Sequence, residues 1–89
     1  MIQRHITIIN KLGLHARAAA KLVSLASQFE SDIKLIKNTH EVNAKSILGV
    51  MMLAAAKNTV LELTADGPDE AEAMDALQAL VEKYFDEGE

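Results

Sequence analysis

Ile6-Thr7-Ile8-Ile9-Asn10-Lys11-Leu12-Gly13-Leu14-His15-Ala16-Arg17-Ala18-Ala19-Ala20 changes its hydrophobic period once, and that change decides the fold. From Ile2 to Ile9, Ile6 and Ile8 share one side of an extended chain while His5 and Thr7 take the other, the alternation of a half-buried strand. Asn10-Lys11-Leu12-Gly13 then reads as a turn. From Ala16 the pattern is helical, with Ala16, Ala19, Ala20, Val23, Ala26 and Phe29 recurring at three- and four-residue steps as the expected buried stripe. Within this stretch, Gly13-Leu14-His15-Ala16-Arg17 places an imidazole and a guanidinium two residues apart at a helix start. A helix beginning at Ala16 turns its unpaired N–H groups and positive dipole end toward whatever His15 carries.

The same reading extends outward. Asp32 to Lys37 and Glu41 to Ala44 form two short strands joined by the polar Asn38-Thr39-His40. Ser46 caps an apolar helix from Ile47 to Ala56, closed by a left-handed Asn at Lys57-Asn58. Val60 to Ala65 is a strand with Leu61, Leu63 and Ala65 on one face. Asp66-Gly67-Pro68-Asp69 turns into a last helix started by a capping box of Asp69 and Glu72, with a stripe of Ala73, Ala76, Leu77, Leu80, Val81 and Tyr84. The order βαββαβα predicts a two-layer α+β domain filling residues 1–89, with helices on one sheet face and water on the other.

Composition narrows the function. A chain of 89 residues is too small to enclose a deep catalytic cavity, and with 3% aromatics it lacks the stacking platform of a single-strand nucleic-acid binder. The absence of cysteine removes thiolate metal sites and fits a reducing interior. Met1-Ile2-Gln3-Arg4-His5 lacks the apolar core of a secretory signal, and no apolar run reaches the length of a membrane span, so a cytoplasmic protein is expected. Residues 1–65 carry a net charge of +4 and residues 66–89 carry −8. The basic part surrounds His15 and Ser46, which suits phosphate or acidic protein partners, although solvated surface charge explains it equally.

An imidazole with a pKa near ~6.5 is substantially neutral at cytoplasmic pH and can attack a phosphoryl group without a separate base. At a helix start, the product would meet the amides of residues 16–18 and the Arg17 guanidinium. Two other readings stand beside this one. His15 could simply cap the helix, or His5, His15 and His40 could bind a metal, although their spacing matches no zinc pattern.

Ile6 through Ala20 resembles the active-site segment of the histidine-containing phosphocarrier family, HPr, of the bacterial phosphoenolpyruvate:sugar phosphotransferase system. Asn43-Ala44-Lys45-Ser46-Ile47-Leu48-Gly49-Val50-Met51 resembles the family's second signature, and Ala65-Asp66-Gly67 its turn before the last helix. The resemblance implies an open-faced β-sandwich, a four-stranded antiparallel sheet covered on one face by three helices. It implies that His15 accepts a phosphoryl group on Nδ1 from enzyme I and passes it to an enzyme IIA domain, with Arg17 as phosphate partner and the backbone of Ala16 and Ala18 orienting the group. Such a protein is a stoichiometric carrier, expected as a monomer without cofactor or metal, and not an independent catalyst.

The family usually has Pro where this chain has Ala18, which keeps a helix former, restores an N–H and implies a looser site. Ser46 is explained as a helix cap; the resemblance adds phosphorylation by an HPr kinase/phosphorylase as a regulatory role. Ile47, Leu48, Val50, Met51, Met52 and Leu53 leave the short helix without a polar face, so part of it, Val50 and Leu53 first, is expected in the core and what stays exposed is a candidate partner patch, with burial of the whole run as the plain alternative. By resemblance, Ile47, Leu48 and Met51 would join Ala20 and Lys21 in docking enzyme I and enzyme IIA. Asn10-Lys11-Leu12-Gly13 also resembles the nitrogen-related branch of the family, whose members mainly regulate. A third reading is a regulatory binding protein acting through phospho-Ser46 alone, against which the presence of His15 argues.

Overall fold

The computed structural model describes residues 1–87 and runs β1 (Ile2–Thr7), α1 (Ala16–Ala26), β2 (Asp32–Lys37), β3 (His40–Asn43), α2 (Ile47–Met52), β4 (Val60–Asp66) and α3 (Glu70–Glu82), followed by a single tight turn at Tyr84–Asp86. The strands form one antiparallel sheet in the order β1-β4-β2-β3. Alternation sets its two faces. Ile6 of β1, Ile33 and Leu35 of β2, and Leu61, Leu63 and Ala65 of β4 are buried beneath the helices. Gln3, His5, Thr7, Asp32 and Lys34 on the opposite face are exposed, as expected for an antiparallel sheet covered on one side. The architecture is the open-faced β-sandwich expected from the sequence.

The helices differ from expectation in phase and length. In α1 the buried residues are Ala18, Ala19, Leu22 and Ala26, while Ala16 and Ala20 are exposed and Val23 is only half-buried. The rotation brings Leu22 against the sheet, because a leucine buries far more apolar area than an alanine and so decides which face turns inward. The helix ends at Ala26, leaving Phe29 outside it and packed against the core edge. The second strand of the hairpin begins at His40 rather than Glu41 and ends at Asn43.

Helix α2 is also shorter than the apolar run suggested. It stops at Met52 because Leu53 turns into the core and Ala54 takes a left-handed φ of 50°. Asn58 does adopt φ 76°, but within the loop before β4 and not as the helix cap. The Lys37 ammonium donates to the Leu53 carbonyl at 2.9 Å, satisfying one of the free carbonyls of that helix end.

Asp69 and Glu72 do not form a capping box. Asp69 makes no side-chain bond to its own helix and instead accepts from Glu30 and Ser31. Glu70 takes over the reciprocal contact, accepting from the Gly67 N–H at 3.1 Å, and this bond holds its carboxyl below the ordinary range. At the other end of α3, Tyr84 is exposed and Phe85 is fully buried. Tyr84, Phe85 and Asp86 have φ of 58°, 53° and 63°, so the helical phase is broken after Glu82 and the next aromatic faces inward. Met74 of α3, outside the expected stripe, is fully buried as well.

Candidate functional site

The site begins with the loop between β1 and α1. Its backbone is stitched to the segment after α2: Ile8 N–H donates to the Thr59 carbonyl at 2.9 Å, Asn58 N–H to the Ile8 carbonyl at 2.6 Å, and Leu14 N–H to the Ala55 carbonyl at 2.8 Å. Gly13 adopts φ 69°, and a Cβ there would lie 2.6 Å from the Ala55 oxygen, so both the turn and the close approach require glycine. Asn10, fully buried, closes the turn by donating from Nδ2 to the Gly13 carbonyl at 2.8 Å. Leu14 inserts into the core and leaves His15 at the rim, half-buried.

His15 is the N-cap of α1, with extended backbone at φ −75° and ψ 177°. Its Nδ1 accepts from the Arg17 N–H at 3.3 Å, so the Nδ1 lone pair points at the helix N-terminus, where the first-turn amides have no intrahelical partners. The cap and phosphoryl-acceptor readings of the sequence are therefore compatible in one geometry. Arg17 is exposed and forms no ion pair among the described residues. Ala16 is exposed beside it, and Ala18 is fully buried with its backbone in the first turn.

The other ring nitrogen has a partner that the sequence reading missed. His15 Nε2 lies 2.6 Å from Oε2 of Glu87, whose other oxygen accepts from Asn10 Nδ2 at 3.0 Å. Burial works against charge on Glu87, yet hydrogen bonds from His15 and Asn10, with the positive field of His15 and Lys21, hold its carboxyl below the usual glutamate range. Lys21 is half-buried and donates from Nζ to the Phe85 carbonyl at 2.6 Å, fastening α1 to the turn that delivers Glu87. Asn10 and Glu87 lie 77 residues apart in the chain, and no local pattern signals such a contact.

Lys11, Leu12, Arg17, Lys21, Asp86 and Glu87 line a shallow cavity of about 340 Å³. Its three cations outnumber its two carboxylates, which leaves a small positive excess beside the start of α1. Among the described residues no group of three His, Cys, Asp or Glu is placed to hold a metal. No described helix is long and apolar enough to cross a membrane.

Ser46 caps α2, its Oγ accepting from the Gly49 N–H at 3.1 Å. Val50 and Leu53 are buried, whereas Ile47, Leu48, Met51 and Met52 are exposed, Leu48 at 72% and Met52 at 81%. Helices α1 and α2 pack against each other, and Ala20 of α1 is exposed. Leu12, exposed at 67% in the β1–α1 loop, adds an apolar side chain that the sequence reading passed over.

A family model described as the PTS HPr component phosphorylation site matches residues 2–83. The phosphocarrier protein HPr of Cupriavidus necator is 61% identical over 89 residues, covering 100% of both chains, and that of Pseudomonas aeruginosa is 53% identical over 85 residues, covering 94% of each. The crystal structure of HPr from Thermoanaerobacter tengcongensis is similar with a TM-score of 0.95 at 48% identity, covering 98% of both chains. That of the phosphocarrier protein HPr from Bacillus anthracis gives a TM-score of 0.85 at 41% identity, covering 88% of this chain and 93% of the other. The chain belongs to the HPr family, the phosphocarrier proteins of the phosphotransferase system.

Proposed function

We propose that His15 is the residue that carries the phosphoryl group, receiving it on Nδ1 from phosphorylated enzyme I and passing it to a histidine of an enzyme IIA domain. The observation that carries this reading is the direction of Nδ1, which faces the N-terminus of α1 with the Arg17 amide 3.3 Å away. A lone pair held there needs no base before it attacks. When Nδ1 bonds to phosphorus, the Arg17 N–H loses its acceptor on the ring and gains a phosphoryl oxygen in the same direction. The amides of Ala16 and Ala18 and the exposed guanidinium of Arg17 add further donors.

Each contribution is modest, the dipole about 0.3–1 kcal/mol at a surface, which suits a group that must be passed on. The protein is consumed and regenerated in each transfer and turns over no substrate alone. It acts in the cytoplasm as a monomer.

Ile47, Leu48 and Met51, with Ala20 of α1, form the docking face for enzyme I and enzyme IIA. Flexible, polarizable methionines suit a surface that accepts two partners in turn. Lys21 contributes its stem to that face, since its ammonium is already engaged by the Phe85 carbonyl. Phosphorylation of Ser46 by an HPr kinase/phosphorylase would add a dianion next to Leu48. That charge is tolerated by the start of α2 but opposes an acidic partner.

Incubation with phosphoenolpyruvate and enzyme I tests the transfer. One acid-labile, base-stable phosphate per chain is expected, absent from His15→Ala. A wild-type chain left unlabelled by both the sugar-branch and the nitrogen-branch enzyme I would overturn the reading. Labelling by one of the two assigns the branch.

A further inference from the structure

We infer that Glu87 is a positioning residue for phosphoryl transfer: it holds a proton on His15 Nε2 before and after Nδ1 is phosphorylated, so that the loaded ring is an imidazolium and hence a ready phosphoryl donor. The inference rests on the assignment of His15 as the acceptor and adds a role for the opposite face of its ring.

Three contacts aim the carboxylate. Phe85 is fully buried and fixes the left-handed turn. Lys21 Nζ grips the Phe85 carbonyl from α1, and Asn10 Nδ2 holds Glu87 Oε1, which leaves Oε2 against His15 Nε2 at 2.6 Å. An ionised carboxylate is only an acceptor, so Nε2 must supply the hydrogen in this contact. On the opposite side of the ring, Nδ1 accepts from the Arg17 N–H and therefore has no hydrogen of its own. Both contacts select the same tautomer, with the proton on Nε2 and the lone pair on Nδ1.

In the transfer step the Nδ1 lone pair forms the new N–P bond. The N–P bond of the donor, a protein phosphohistidine, breaks, and its electron pair stays on the donor's nitrogen. No proton leaves His15: the ring gains a positive charge that Nε2–H shares with Glu87. In the next step the N–P bond breaks toward the acceptor's imidazole and the ring departs as the neutral Nε2–H tautomer. A ring without the Nε2 proton would have to leave as an imidazolate, a far poorer leaving group.

The other charged side chains that share a cavity with Glu87 among the described residues are Lys11 of the loop, Arg17 and Lys21 of α1, and Asp86 of the turn. Among the described residues, Glu87 is the acid in hydrogen-bond contact with the ring.

The test compares the full-length wild type with Glu87→Gln and Glu87→Ala, each with ¹⁵N-labelled histidine, by long-range ¹⁵N–¹H spectra before and after loading with phosphoenolpyruvate and enzyme I. Backbone amide spectra establish that the variants are folded. The wild type is expected to show the Nε2–H tautomer before loading. After loading, Nε2 is expected to keep its proton to a higher pH than in either variant, because the Glu87 carboxylate accepts from it. Above neutral pH the variants should hold the phosphoryl group longer and pass it to enzyme IIA several-fold more slowly, a deficit that shrinks as the pH is lowered. Equal Nε2 titrations in wild type and both variants, or an Nδ1–H tautomer in the wild type, would overturn the inference. A wild type that takes no label defeats the assignment of His15 as acceptor instead, and the spectra before loading still decide the tautomer.

Discussion

Asp69 and Ser31 are joined twice: Asp69 Oδ1 accepts from Ser31 Oγ at 2.5 Å and from the Ser31 N–H at 3.0 Å, while Oδ2 accepts from the Glu30 N–H at 2.9 Å. The start of α3 thereby holds the loop between α1 and β2. The Ser31 hydroxyl bond and then the Glu30 amide bond keep the Asp69 carboxyl below its ordinary value of 3.8, against a smaller opposing effect of burial. A carboxyl whose pKa is depressed by folding adds stability above its unfolded pKa, and that stability is lost as pH falls through the folded value. Asp69→Asn should lower the melting temperature at pH 7 and flatten its fall below about pH 4. Melting curves from pH 7 to pH 2 check this; a variant with the wild-type acid profile would contradict it.

The Gly13 turn gives a second expectation. Gly13→Ala forces a Cβ onto φ 69° and to within 2.6 Å of a backbone oxygen of Ala55. The expected loss is about 1–3 kcal/mol in denaturant unfolding, with a lower transfer rate because the loop that carries His15 must shift. Wild-type stability would mean that the loop can open without cost.

Much of this was legible in the sequence, for identifiable physical reasons. The bounds of β2, the start of α1 and the caps His15 and Ser46 follow from alternation and capping, which are local. The rotation of α1 was not legible, because Ala16, Ala18, Ala19 and Ala20 surround the helix with one small residue and give the stripe no phase. The left-handed residues Ala54 and Phe85 were also invisible, since neither side chain favours positive φ and tertiary packing imposes it. Glu87 reached the site for the same reason: its contact with His15 spans 72 residues.

Arg17 is expected to act on transfer and not on folding. Its exposed guanidinium has no ion pair among the described residues to lose, so Arg17→Ala should leave stability within about 0.5 kcal/mol. Loss of a charge-assisted phosphate contact of about 1.5–3 kcal/mol should lower kcat/KM with enzyme I roughly ten- to hundredfold. Transfer kinetics with stability measured alongside separate the two.

Ala18 occupies the first turn of α1, where proline forfeits no intrahelical hydrogen bond. Ala18→Pro is therefore expected to fold with stability within about 1 kcal/mol of wild type and to keep transferring. A collapse of transfer in a folded Ala18→Pro chain would show that the Ala18 amide is indispensable to the phosphoryl group.

The apolar face of α2 separates docking from packing. Leu48→Asp, at a residue exposed by 72%, should leave the melting temperature nearly unchanged while raising the KM for enzyme I. Leu63→Ala, in the fully buried centre of the sheet, should destabilise by about 2–5 kcal/mol. An unchanged KM for Leu48→Asp would move the docking face elsewhere.

The phosphoryl group is expected on Nδ1 of His15, facing the start of α1. Coupling between ³¹P and ¹⁵N in the histidine-labelled, phosphoenolpyruvate-loaded protein identifies the nitrogen that bears it. A single phosphorus coupled to His15 Nδ1 is the expected result; phosphorus on His15 Nε2, or on His5 or His40, would contradict it.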